Sequence, residues 1–216
     1  MTYRPADDDR LLVVDHPVVA HLLAEARERK TPHSDFRLLL EQLGQLLAYE
    51  ATRDLPTAVR TVHTPLEQAD AAQLRDPVTI VGILRAGLGL MSGMLGLVPE
   101  ARVGHLGMFR DEQALQPVHY YENLPEAIDR GVVLLVDPML ATGGSALAAL
   151  EMLHRKGAKD IRLVCLVAAP EGLEKLRGSY PDLPIVTAAV DRELDDRGYI
   201  LPGLGDAGDR LYGTSD

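Results

Sequence analysis

The spacing of apolar and polar positions changes several times along this chain, and each change predicts a different element. Asp15-His16-Pro17 opens a first helix, with Asp15 as the expected cap and Pro17 in the first turn, and the segment closes on Arg27, Arg29 and Lys30. A second helix opens at Ser34, because Phe36, Leu39, Leu40, Leu43, Leu46 and Leu47 recur at helical spacing. From about Thr57 short β-rich runs alternate with helical ones. PVTIVGIL leads to a Gly-rich turn and a helix, then to ARVGHLGMF. After an insertion come VVLLV with its helix, IRLVCLVAA with a helix beginning near Pro170, and PIVTAAV. That alternation predicts an α/β fold of parallel strands joined by right-handed helical crossovers, and unbroken apolar strands such as VVLLV predict cover on both faces.

Two segments break the alternation. The stretch from about Arg110 to Pro125 is polar and interrupted by proline, yet holds Tyr120 and Tyr121 beside Val118, so it reads equally as a protruding hairpin or a surface loop. The tail from Asp191 to Thr214 is glycine-dense, but Tyr199, Ile200, Leu201, Leu204, Leu211 and Tyr212 are costly to leave in water, so it is expected to fold back on the body. Its acidic run DRELDDRG reads as a solvated turn.

The 216 residues, 46% of them hydrophobic, suit one domain over 1–216: a helical segment at about 15–54, a core at about 57–190 and a tail at about 191–214. A net charge of -10 argues against a nucleic-acid or anionic-membrane surface, so an anionic ligand has to be met by a few placed cations. The acidic N-terminus MTYRPADDDR does not resemble a secretory signal, and a cytoplasmic location is expected. Cys165, the single cysteine, lies within an apolar strand and reads as a small hydrophobe rather than a nucleophile. His16, His63, His105 and His119 are scattered without metal-ligand spacing.

The chemistry concentrates where VVLLV ends on Asp137-Pro138 and is followed by Met139, Leu140, Ala141, Thr142, Gly143, Gly144 and Ser145. In a parallel α/β sheet ligands bind beyond the carboxyl ends of the strands. A helix starting near Ser145 points its unpaired amides and the positive end of its dipole outward, which makes the turn a phosphate cradle; Thr142 and Ser145 add hydroxyl donors. The Walker pattern is excluded, since Ser145 stands where it requires lysine. Gly203-Leu204-Gly205-Asp206-Ala207-Gly208 matches the dinucleotide fingerprint, but no convincing strand leads into it and no helix is expected after it. A second glycine turn, ILRAGLGLMSG, places Arg85 at the same edge, where its guanidinium suits another phosphate. Two anion sites with an acid between them fit a polyhydroxylated ring phosphorylated at two ends, such as phosphoribosyl pyrophosphate (PRPP).

The run VDPMLATGGS resembles the PRPP signature of type I phosphoribosyltransferases, and more narrowly that of the uracil-specific branch. The likeness extends through HPVVAHLLAEAR, AYEATRD, ILRAGLGLMSGML, VGHLGMFRDE, CLVAAPEG and GYILPGLGDAGDRLYGT. Most type I enzymes carry two adjacent acids at the strand end; Asp137 followed by Pro138 departs from that pattern, as the uracil branch does. The resemblance implies a doubly wound parallel sheet with a small hood and a protruding β-arm that helps form a homodimer or higher oligomer. It implies PRPP held by Arg85, Arg110, the span Asp137 to Ser145 and Asp206, and uracil read by Ile200, Gly205, Asp206 and Ala207. Arg110 and Asp137 would stabilise the leaving group and the ribose, with Mg2+ bound through PRPP and without a direct protein ligand. GTP, an effector of some members, becomes a candidate effector. Uracil presents acceptor, donor, acceptor along O4, N3 and O2, a pattern that free backbone amides and carbonyls in a glycine-rich tail can match. The rival readings are a phosphoribosyltransferase for orotate or a purine, disfavoured by the Asp137-Pro138 step and the tail, and an RNA-binding regulator on the same fold, disfavoured by the acidic balance.

Overall fold

The computed structural model describes residues 9–110 and 117–214. Strand β1 (Leu11–Val13) precedes two helices, α1 (Pro17–Arg27) and α2 (His33–Ala51). The cap of α1 falls one residue later than expected: the Val18 N–H donates to His16 Nδ1 at 3.1 Å, and Pro17 takes the first helical position. Val19, Leu23 and Ala26 on α1, and Phe36, Leu40, Leu43 and Leu47 on α2, recur at helical spacing and are buried, which gives each helix one core-facing stripe.

Strands β2 (Thr57–His63) and β3 (Gln68–Leu74) form an antiparallel ribbon outside the main sheet, so the alternation expected from about Thr57 begins only after it, with the strand of PVTIVGIL. Its residues are mostly exposed, Val59 and Leu66 among them, because TAVRTVH and QADAAQL offer no continuous apolar face to bury. The turn is held by Thr64, whose Oγ accepts from the Leu66 and Glu67 N–H groups.

The main sheet then follows. Its elements are β4 (Val78–Leu84), α3 (Leu88–Leu97), β5 (Arg102–Arg110), β6 (Pro117–Asn123), β7 (Val132–Val136), β8 (Met139–Leu140), α4 (Gly144–Arg155), β9 (Asp160–Ala168), α5 (Pro170–Ser179) and β10 (Ile185–Val190). Along the sheet the order is β1-β10-β9-β7-β4-β5-β6, with β8 extending the partner side of β9. All pairs are parallel except β5 with β6. The segment after Arg110 therefore returns as a strand; its residues 111–116 lie outside the described ones.

Both faces are covered. Val132, Leu134 and Val136 of β7 join one core with α1, α2 and α3, while Val133 and Leu135 join a second core with α4 and α5. A strand whose alternate residues must each meet a helix has no polar face left, which is why it reads as continuous VVLLV. Among the described residues no helix is long and apolar enough to cross a membrane.

The tail is ordered: β11 (Glu193–Leu194) pairs antiparallel with β12 (Ile200–Leu201), and helix α6 (Ala207–Tyr212) follows. A helix does succeed the Gly203 to Gly208 fingerprint, contrary to expectation. The strand before it belongs to a two-stranded hairpin rather than a parallel crossover, so the dinucleotide geometry is still lacking.

Candidate active site

The carboxyl rim of the sheet brings most of the sequence-predicted residues together. Asp137 and Arg85 are the first residues beyond the adjacent strands β7 and β4, and Arg110 is the last residue of β5, the next strand along. Asp137 follows β7 directly, and its N–H donates to Val164 O at 3.2 Å. Pro138 O accepts from Leu166 N at 2.9 Å, Met139 and Leu140 pair with Val167 and Ala168, and Ala169 N donates to Leu140 O at 2.8 Å. Zipped to β9 in this way, residues 137–140 are a rigid lip.

Beyond the lip, Ala141, Thr142 and Gly143 turn into α4. Gly143 is the N-cap at φ 73, left-handed backbone that a side chain would strain, and no side chain caps the helix. The first amides of α4 are thus left for a ligand. Residues from Asp137 to Ala146 enclose a cleft of about 70 Å³ at this turn. A wider cleft of about 450 Å³, between Arg10, His154, Lys159, Tyr180 and Asp182, lies at the opposite, amino edge and away from this chemistry.

Asp137 keeps a partial opening to the cleft, yet burial pushes its pKa up to about 7; a backbone hydrogen bond from Met139 opposes the rise and the nearby Asp206 charge adds to it. That coupling ties the tail to the rim. Asp206 caps α6 by accepting from Asp209 N at 2.9 Å, and Ala207 and Ile200 are buried while Gly205 and Asp206 are exposed. Arg85, joined to Leu84 through a cis peptide, is exposed and donates to Asp209 Oδ1 at 3.2 Å; its guanidinium lies 5.6 Å from the centre of the Tyr212 ring, and Tyr212 Oη donates to Arg85 O at 3.3 Å. Arg110 ends β5 opposite Pro117, and its side chain lies outside the described residues.

Several residues here were not anticipated. Asp209 and Tyr212, on α6, hold Arg85; Arg27, Asp191, Arg37 and Arg210 pin the tail to the body. A signal for Asp191 existed, since it follows β10 as Asp137 follows β7, but it sat within a run read as solvated. Cys165 is fully buried, and burial pushes its thiol up to about 12, as a packing cysteine requires.

Among the described residues no cluster of three His, Cys, Asp or Glu side chains could hold a metal. Asp137 and Asp206, which lie close enough to influence each other, offer carboxylate oxygens of the kind that suit a hard cation.

The model of the family "Uracil phosphoribosyltransferase" matches residues 13–214. The chain belongs to the uracil phosphoribosyltransferase family. It is 54% identical over 205 residues to a uracil phosphoribosyltransferase of Dictyoglomus thermophilum, covering 94% of this chain and 99% of the relative. It is 52% identical over 207 residues to that of Agrobacterium fabrum, covering 95% and 99%. Among solved structures, the AQ2163 protein from Aquifex aeolicus superposes with a TM-score of 0.91 at 38% identity, over 95% of this chain and 99% of that one.

Proposed function

We propose that the chain transfers the 5-phosphoribosyl group of PRPP to N1 of uracil, giving UMP and pyrophosphate. The observation that carries this reading is the pairing of a partly buried strand-end acid, Asp137, with the uncapped, glycine-led amino end of α4. One side chain faces sugar hydroxyls and the amides beside it face a monophosphate.

The assignment of roles follows from charge. The 5′-phosphate sits on the amides and hydroxyls of Thr142 to Ser145, and ionised Asp137 accepts from the ribose hydroxyls. As the bond from the anomeric carbon to the diphosphate breaks, positive character grows on the ribose and negative charge on the departing oxygens. Uracil N1 forms the new bond and gives up its proton. Arg85 and Arg110 meet the diphosphate, so their interaction strengthens as the bond breaks, which is the condition for accelerating the step. Mg2+ arriving with PRPP would find oxygen donors nearby in Asp137 and Asp206 and would supply further charge neutralisation. The backbone of Ile200 and of Gly205 to Ala207 reads the base; a mismatched analogue leaves buried donors or acceptors unpaired, at about 1 to 3 kcal/mol each.

Self-association into a homodimer or higher oligomer belongs to the same reading, supported by the exposed Val59 and Leu66 of the β2–β3 ribbon and Tyr120 and Tyr121 of β6. GTP as an effector rests on the family resemblance, and a cytoplasmic setting is supported by the single cysteine, Cys165, which suits a reducing compartment. The test is an assay with labelled uracil and PRPP, with and without magnesium. Magnesium-dependent formation of UMP and pyrophosphate is expected; consumption of PRPP with orotate or a purine but not with uracil would overturn the reading.

A further inference from the structure

Asp191 is the first residue beyond β10, and unlike the rest of its acidic run it is buried, with 6% of its surface exposed. Both carboxylate oxygens are engaged. Oδ1 accepts from Arg27 Nη2 at 2.6 Å, and Oδ2 accepts from Arg27 Nη1 at 2.8 Å and from the Gly203 N–H at 2.9 Å. Arg27 Nη1 also donates to Gly203 O at 2.8 Å. A single tail residue therefore has both its backbone groups gripped by one partly buried ion pair, whose members come from the last turn of α1 and the residue after β10.

Gly203 is a residue whose placement propagates. It turns at φ 59, where an added Cβ would fall 2.1 Å from Ile200 O, and it lies two positions before Gly205. From the other side Arg210 Nη1 donates to Leu204 O at 2.9 Å and to Ala26 O at 2.6 Å, and its Nη2 donates to Glu28 O at 2.8 Å. The carboxyl end of α1 is thus a bracket closed on residues 203 and 204. Burying an ion pair is an expensive way to hold a loop, and an apolar contact of similar volume is often as stable. What the forked pair supplies is orientation, since its parallel bonds fix direction as well as distance. Neither Asp191 nor Arg27 lines the cleft at the sugar-phosphate turn.

We infer that Asp191 and Arg27 are positioning residues for base selection: by fixing Gly203 they set the height and direction of the backbone groups from Gly205 to Ala207 against the nucleobase. This rests on the reading that those groups recognise uracil.

Steady-state kinetics on the full chain test it, with Asp191→Asn, which removes the charge, and Arg27→Lys, which keeps the charge and removes the fork. In both, the KM for uracil is expected to rise about tenfold or more and the preference for uracil over cytosine to fall by a similar factor, while the KM for PRPP stays within about twofold. A purely structural role would lower the active fraction, and so kcat, with both KM values and the base preference in place; that result overturns the inference. Should Asp191→Asn fail to fold, Arg27→Lys decides on the same readouts. Gly205→Ala, at a position with φ 73, separates the two levels. If it too leaves the uracil KM and the base preference unchanged, the tail does not read the base and the underlying reading fails. If it shifts them while Asp191→Asn and Arg27→Lys do not, the positioning role alone fails.

Discussion

Arg85 at the end of β4 and Asp209 on α6 are joined by an ion pair at 3.2 Å, which links the expected diphosphate site to the tail. The side chains are 53% and 35% exposed, so the pair is worth no more than about 1 kcal/mol. On the proposed reading a ligand diphosphate competes with Asp209 for the guanidinium. Asp209→Asn is therefore expected to tighten PRPP binding by a few-fold, with the uracil KM little changed, as measured by equilibrium titration with PRPP. Weaker PRPP binding would instead mean that Asp209 aims Arg85 at the ligand.

The raised pKa of Asp137 has a consequence for stability. Between about 4 and about 7 the folded chain holds a proton on this group that the unfolded chain has released, so the contribution of Asp137 to stability falls as pH rises through that window. Asp137→Asn removes that cost. In the ligand-free protein its thermal midpoint should exceed that of the parent at about pH 8, and the gap should close toward about pH 4. A gap independent of pH would contradict the assigned burial.

Arg110 is the last residue of β5, the strand next to β4, and on the proposed reading it meets charge that grows during reaction. Arg110→Ala is expected to lower kcat by about a hundredfold, the scale of losing one donor to a developing anion, with a smaller effect on uracil binding. Unchanged turnover would remove it from the catalytic set.

What could be read in advance follows from how local each signal is. VVLLV followed by Asp137 is legible because burial on two faces and the strand-end acid are both written in consecutive residues, and the same holds for the cradle that follows. The β2–β3 ribbon was not legible as such: its strands bury little, so apolar periodicity, the signal that finds elements, is missing from them. Asp191 illustrates a third case. Its partners, Arg27 and Gly203, stand 164 residues before it and 12 after it, and nothing in DRELDDRG distinguishes the one acid that a distant arginine will bury. Arg27 likewise reads as an ordinary cation at a helix end until α1 is packed against β10. The hold of Asp209 and Tyr212 on Arg85 depends in the same way on α6 folding back across the rim.

The proposed transfer requires PRPP to lie across the carboxyl rim with its ribose on Asp137. Calorimetric titration of PRPP with magnesium into the parent and into Asp137→Asn tests this most directly. Saturable one-site binding to the parent and its loss in the folded variant is the predicted result. Equal affinity in the two proteins would contradict the account.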